Sequence, residues 1–432
     1  MSPLSSPPAD RALISNGGFE QMQQTVSHAS SMLLDKLSGH QDYSERDTRG
    51  DQRPLLLCLS HLRWDFVWQR PQHLLTRAAR HFRVIFFEEP IFKAGISAKL
   101  ELLARNGIQV AVPVLPEGMS AKEVVATQRR MVDELARTAT SKLALWYYTP
   151  MAMSFSRHLH ADIVIYDNMD ELSAFRGASP EMIENEAALL VRADLVFTGG
   201  VSLYEAKRDR HPSVHAFPSS IEFAHFAAAR TWTKAEPSDQ AGIRGPRLGF
   251  FGVIDERLDL GLVDGIARAR PDWQLVMIGP VAKIDPATLP RRDNIHWLGS
   301  KPYSDLPSYL AGWDVGLMPF ALNEATRFIS PTKTPEFLAA GVPVVSTPIA
   351  DVVRPYGEKG LVEIAGTAEE VVAAAEALMN RPRPAWVAKV DRHLAGNSWD
   401  ATWDAMHRLV GAELRVSPSR LPASSMLSVA AE

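Results

Sequence analysis

The stretch Ser330-Pro331-Thr332-Lys333-Thr334-Pro335-Glu336-Phe337-Leu338-Ala339-Ala340-Gly341-Val342-Pro343-Val344-Val345-Ser346 reads as a helix start, a short helix, a glycine stop and a buried strand. Ser330 or Thr332 can cap the helix, and Pro335 is tolerated in its first turn, where a missing N–H costs nothing. Gly341 ends the helix and Pro343-Val344-Val345 starts the next strand. A helix start gathers unpaired N–H groups and partial positive charge, which suits a phosphate, and Lys333 adds a full charge. Glu336, three residues on, shares that face of the first turn. A cation for phosphate beside a carboxylate for hydroxyls is what a nucleotide-sugar requires.

Outward from this stretch the chain alternates apolar strands with amphipathic helices. Strands are expected at 55–59, 84–87, 109–114, 144–148, 163–166, 195–197 and 214–217, then at 248–253, 274–278, 295–298, 315–318, 344–346 and 362–364. Continuous apolar strands separated by helices imply parallel sheets covered on both faces. The expected fold class is therefore α/β, two doubly wound Rossmann-like domains facing a cleft, with ligands at the carboxyl ends of the strands. The expected organisation is a polar extension at 1–52 (with one short helix around Met22 to Leu37), a first domain at 53–229, and a linker at 230–246. A second domain follows at 247–385, then a helical segment at 386–414 packing back on the first domain, and a disordered tail at 415–432.

Composition narrows the function. The 432 residues carry a net charge of −4, with 46% hydrophobic and 22% charged residues, an ordinary soluble balance with no global pull toward nucleic acid. From Arg53 to Pro150, however, 14 Lys and Arg stand against 8 Asp and Glu, a half that suits an anionic lipid surface or a pyrophosphate-bearing acceptor. The one cysteine, Cys58, lies in an apolar run, which excludes a disulfide framework. No apolar run approaches the roughly 18–20 residues of a membrane span, and the N-terminus lacks a signal-peptide core. A cytoplasmic location is expected, at most peripheral to the inner face of the membrane. No strand leads into GxGxxG or GxxxxGK[ST], and the histidines lack ligand spacing, so neither a dinucleotide cofactor nor a protein-held metal is expected.

The ordered set Gly249-Phe250-Phe251-Gly252, Leu275-Val276-Met277-Ile278-Gly279-Pro280, Ile295-His296-Trp297-Leu298-Gly299, Asp314-Val315-Gly316-Leu317-Met318-Pro319-Phe320 and Ser330 to Ser346 resembles the second domain of GT-B glycosyltransferases of the large, mostly retaining group 1 type. The run from Leu59 to Gln72 resembles the opening of exopolysaccharide and teichuronic-acid-type transferases, and the resemblance spans about residues 54–412. It implies a metal-independent hexosyltransferase that takes sugar from a nucleotide diphosphate, of the UDP type, to a glycan or lipid-linked acceptor in polysaccharide assembly. By position, Glu336 matches the glutamate on the ribose hydroxyls and Lys333 the lysine near the diphosphate. Gly252 matches the phosphate loop, and Gly279 and Gly299 border the base. Two departures stand out: Phe328 occupies the place of the group's first glutamate, and the Arg-x-x-Lys-Gly element is missing, with Arg257 nearby. A sugar-nucleotide epimerase and a catalytically silent GT-B scaffold remain as alternatives.

Charge developing on a leaving diphosphate calls for positioned cations, Lys333 first and Arg257 second. The first-domain loops are expected to hold the acceptor and any base. Asp65 follows the first strand beside His61, Arg63 and Trp64, and Asp167 follows the fifth, with Asp170 and Glu171 next to it. Asp65 and Asp167 are candidate bases, although a strand-end aspartate is as often a turn residue. Trp64 can stack on sugar or pack the loop. Arg70 can face an acceptor phosphate or form a structural ion pair, and Glu88 and Glu89 can line the cleft.

Overall fold

The computed structural model describes residues 51–174 and 178–416. The helix expected around Met22 to Leu37 and the tail from Ser417 lie outside the described residues. The first sheet holds β1 (Leu55–Leu59), β2 (Arg83–Phe87), β3 (Ile91–Lys93), β4 (Lys99–Arg105), β5 (Ile108–Pro116), β6 (Leu143–Tyr147), β7 (Ile163–Asn168), β8 (Leu195–Thr198) and β9 (Val214–Ala216). Its order is β3-β5-β2-β1-β6-β7-β8-β9, with β4 also paired to β5. The second sheet, ordered β12-β11-β10-β13-β14-β15, holds β10 (Arg247–Phe251), β11 (Gln274–Ile278), β12 (Ile295–Gly299), β13 (Val315–Met318), β14 (Val344–Ser346) and β15 (Glu363–Ile364). Every pairing is parallel except β4 on β5. The fold is thus two Rossmann-like domains, and the strand order reverses at β1 and at β10, where such sheets open a crevice at their carboxyl ends.

The antiparallel β4 is an addition to the expected strands. It pairs Arg105 with Ile108 through Asn106-Gly107, whose φ values of 49° and 82° are those of a tight hairpin turn.

Within β1, Leu55, Leu57 and Leu59 feed one core and Leu56 and Cys58 the other, which is why the strand is apolar throughout. The helix Trp399–Val416 lays Trp399, Trp403, Met406, Val410 and Leu414, at helical spacing, on the Leu56 and Cys58 face. The segment expected at 386–414 is corrected: the helix Arg383–Leu394 instead sends Trp386, Val390 and Leu394 into the second domain's core. The expected linker is also corrected. Ile221, Phe226 and Ala229 already belong to the second core. Gln240, fully buried, accepts from Trp313 Nε1 at 2.8 Å and donates to the Tyr309 carbonyl at 3.0 Å. The chain passes between the cores near residues 218–220 and 395–398, where Ser220 Oγ donates to Asn397 Oδ1.

Candidate active site

Glycines close the carboxyl ends of β10, β11 and β12. Gly252 N–H donates to the Ile278 carbonyl and Gly279 N–H to the Gly299 carbonyl, each at 2.9 Å. Gly252 and Gly279 have φ of 147° and 145°, outside what an L side chain adopts comfortably. A Cβ at Gly279 would fall on the Gly252 carbonyl oxygen, and one at Gly252 would come within 2.6 Å of Lys333 Cε. Gly279 is therefore required by the Gly252 backbone, whereas at Gly252 the flexible end of Lys333 can shift and it is the φ that favours glycine. The neighbourhood of Gly299 is open, so only its φ of 67° favours glycine there.

The helix Lys333–Ala339 begins beneath this loop. Neither expected cap operates. Thr332 already has helical backbone with no side-chain cap, and the Ser330 carbonyl accepts from Ser219 Oγ of the first domain at 2.7 Å. Glu336 is 5% exposed, and burial pushes its carboxyl up to about 8 against the pull of Lys333. Burial lowers Lys333, with Glu336 opposing that fall and Arg257 adding to it. The Arg257 guanidinium makes three hydrogen bonds of 2.7–3.1 Å to buried Asp255, which hold it at the end of β10. Glu336 and Arg257 therefore both act on Lys333.

The first-domain candidates divide. Asp167 is fully buried and takes three hydrogen bonds of 2.8–3.1 Å from Arg70, which also donates to the Phe217 carbonyl at 2.7 Å. This corrects both residues: the pair is a structural bridge, because a carboxylate sealed under a guanidinium reaches no acceptor. Trp64 is likewise corrected. It is buried, packs edge-on against Phe86, donates from Nε1 to Asn106 Oδ1 at 3.2 Å, and offers no face to a sugar. Asp65 turns outward to Arg105 at 2.9 Å, a surface pair on β4 rather than a base. Arg63 is held by Glu88 at 3.1 Å and by the carbonyls of Glu89 and Pro90, so it braces the loop.

Two first-domain residues feel charges of the second domain. His61 has a buried Nδ1 without a hydrogen-bond partner, and burial together with Lys283 lowers its pKa to about 4, so the ring is neutral. Asp170, partly buried, is raised by burial and eased downward by Arg257, Lys283 and Lys333, all of the second domain. Lys283, which also acts on Glu89, escaped sequence reading. Its one local signature is a φ of 60°, which no sequence pattern announces.

Beside the cleft the domains are latched. Buried Asp351 accepts from the N–H groups of Val201 and Ser202 at 2.8 and 3.0 Å, and Arg354 pairs with Glu205 at 2.7 Å. A Cβ on Gly200 would fall on Asp351. Phe328 stacks with Arg327 and lines a crevice of about 370 Å³ there with Ser202, Glu205 and Arg354. Among the described residues no group of three or more His, Cys, Asp or Glu is arranged to hold a metal, and no helix is long and apolar enough to cross a membrane.

Comparison with known proteins agrees with this geometry. Residues 245–381, which carry Gly252, Arg257, Gly279, Gly299, Lys333 and Glu336, match the family model of glycosyl transferases group 1. The "Putative teichuronic acid biosynthesis glycosyltransferase TuaH" of Bacillus subtilis (strain 168) is 28% identical over 235 residues, covering 50% of this chain and 59% of that protein. Among solved structures, α,α-trehalose 6-phosphate synthase from Burkholderia multivorans superposes with a TM-score of 0.60 at 14% identity, covering 85% of this chain and 98% of that one. An E. coli trehalose-6-phosphate structure bound with UDP-2-fluoro glucose gives 0.61 at 13% identity, covering 84% and 100%. Anabaena Alr3699/HepE, in complex with UDP and glucose, gives 0.60 at 13% identity, covering 83% and 100%. At these identities the structural likenesses speak for the fold.

Proposed function

Because residues 245–381 match the family model of glycosyl transferases group 1, we propose that the chain transfers a sugar from a nucleotide diphosphate donor, of the UDP type, to a glycan or lipid-linked acceptor in cell-envelope polysaccharide synthesis. The observation that carries this reading is Lys333 laid over Gly252 at the end of β10, with Glu336 buried in the first turn of the same helix. Glu336 accepts the ribose hydroxyls. Lys333, Arg257 and the N–H groups at the glycine-closed strand ends take up the charge that grows on the diphosphate as the glycosidic bond breaks. In this reading the protein's own cations serve the leaving group, with no cofactor. The UDP of two structural neighbours supports the donor class, and the relative named for teichuronic acid biosynthesis supports an envelope acceptor. His61 and Asp170 stand on the acceptor side. The basic surplus between Arg53 and Pro150 fits work at the anionic inner face of the membrane.

The test is thermal-shift binding of UDP, GDP, ADP and CMP to wild type and Lys333→Ala. A native-state ligand at a hundred times its Kd stabilises by about 2.7 kcal/mol. Losing the charge-assisted bond to phosphate costs about 1.5–3 kcal/mol, so Lys333→Ala should bind UDP at least tenfold more weakly. An undiminished shift in the variant removes Lys333 from the site. Absence of any shift in wild type defeats the donor reading, and turnover of an acceptor separates a transferase from a silent scaffold.

A further inference from the structure

Both crossings between the domains lead to one buried histidine. His73, 2% exposed in the helix Arg70–Ala78, lies beside Glu222, just past the first crossing, and Trp399, just past the second. Trp399 stacks on its ring at 4.7 Å, and Tyr303 of the second domain meets it edge-on at 5.6 Å. Its Nδ1 has two claimants. Trp68 Nε1 donates to it at 3.3 Å, and Glu222 Oε1 stands 3.3 Å from the same atom. A ring nitrogen with a free lone pair serves the indole, and the same nitrogen carrying a proton serves the carboxylate. The two demands exclude each other. Trp68 sits near the end of the loop 60–69 that follows β1, and its ring also lies against Tyr303 at 6.1 Å.

We propose that His73 is a proton switch at the hinge between the domains. Neutral, it accepts from Trp68 and holds that ring against Tyr303, clasping the loop 60–69 to the second domain. Protonated, its Nδ1 donates to Glu222, and the indole N–H loses its acceptor. An indole N–H left without an acceptor between two packed domains is costly, so the ring turns out to water and the clasp opens. The charged groups around the ring set the balance. Glu222 favours the proton. Arg77, bound to Glu222 at 2.5 Å and to Asp400 at 2.9 Å, opposes it, as does His225, stacked on Tyr303 at 4.6 Å. Burial is the largest influence and lowers the His73 pKa, so at neutral pH the ring is uncharged and the clasp closed. The switch stands on these contacts alone, and only the statement that the freed loop borders the acceptor rests on the transferase reading above.

The experiment is proton–nitrogen correlation NMR of the full chain carrying nitrogen-15 tryptophan, titrated from pH 8 to pH 5 without nucleotide. Trp68→Phe identifies the Trp68 indole signal by its loss from the set of 10. The expected result is a one-proton titration of that signal with a midpoint below 6.5. In Glu222→Gln the midpoint falls by about one pH unit, because the partner that favours the proton has lost its charge. In His225→Gln the titration persists. A Trp68 signal that stays in place from pH 8 to pH 5 overturns the proposal. So does a midpoint unmoved in Glu222→Gln, or a titration lost in His225→Gln, since a different group would then be taking the proton. With no nucleotide in the sample, none of these outcomes depends on the donor site, so failure of the switch and failure of the donor reading are separate results.

Discussion

Glu336 should cost the empty protein stability above neutral pH, and Glu336→Gln should return it. Burial lifts the carboxyl from 4.5 to about 8 even with Lys333 beside it. In the unfolded chain the group ionises near its ordinary value, so between about pH 4.5 and 8 the native state keeps a proton that the unfolded state has released. More protons bound to the native state means that unfolding free energy falls as pH rises. The contribution is fully present below the unfolded pKa and is lost as pH climbs through about 8. The interval from 4.5 to about 8, at about 1.4 kcal/mol per pH unit, corresponds to roughly 5 kcal/mol. Lys333, held below its ordinary value, works in the opposite direction, because stability from that group recovers as pH rises toward 10.5. The value of about 8 already contains the attraction to Lys333, so the variant's gain above pH 8 is of that same order, a few kcal/mol. Urea unfolding of wild type and Glu336→Gln at pH 5 and pH 8.5 measures it. The two should be close at pH 5, where glutamine replaces a neutral acid of the same shape, and the variant should be more stable at pH 8.5. Saturating UDP should then stabilise wild type and scarcely affect the variant, since the ribose loses its carboxylate. A stability gap of equal size at both pH values would refute the reasoning.

Two further predictions follow from contacts outside the donor pocket. Asp167→Ala strands the Arg70 charge in the core and should cost about 3–5 kcal/mol in denaturant unfolding, while UDP affinity of the folded fraction stays unchanged. A weaker UDP Kd with normal stability would return Asp167 to the cleft. Asp351→Ala removes the acceptor for two N–H groups of the opposing domain, a loss of about 1–2 kcal/mol. Small-angle scattering should then show a larger radius of gyration, and an unchanged radius would mean that the latch is not what holds the domains together.

The placement of Lys333 and Glu336 was legible locally. Lys333 and Glu336 share a face because they are three residues apart in one helical turn, and the strand-end glycines were singled out by the family resemblance. Other local signals were present but weak. Asn106-Gly107 marks the β4–β5 hairpin, yet Lys, Glu and Ala make β4 a poor strand by propensity, and only its pairing with β5 holds it. The acceptor side was far less legible. Asp65, Asp167 and Asp170 look alike in sequence, each an acid just beyond a strand, and their roles depend on which cation folding brings to each.

The sequence alone determined the α/β class, the two sheets and the helix that carries Lys333 and Glu336, while the break between the sheets fell earlier in the chain than its composition suggested. These depend on periodicity and on contacts within a few residues. Only the tertiary structure decided that Arg70 meets Asp167 across 97 residues and that Gly279 must be glycine because Gly252 lies against it. It likewise decided that Asp351 meets the N–H groups of Val201 and Ser202 in the other domain. The physical reason is that a side chain's charge state and accessibility are set by what surrounds it in space. In parallel sheets those surroundings come from strands and loops far apart in the chain.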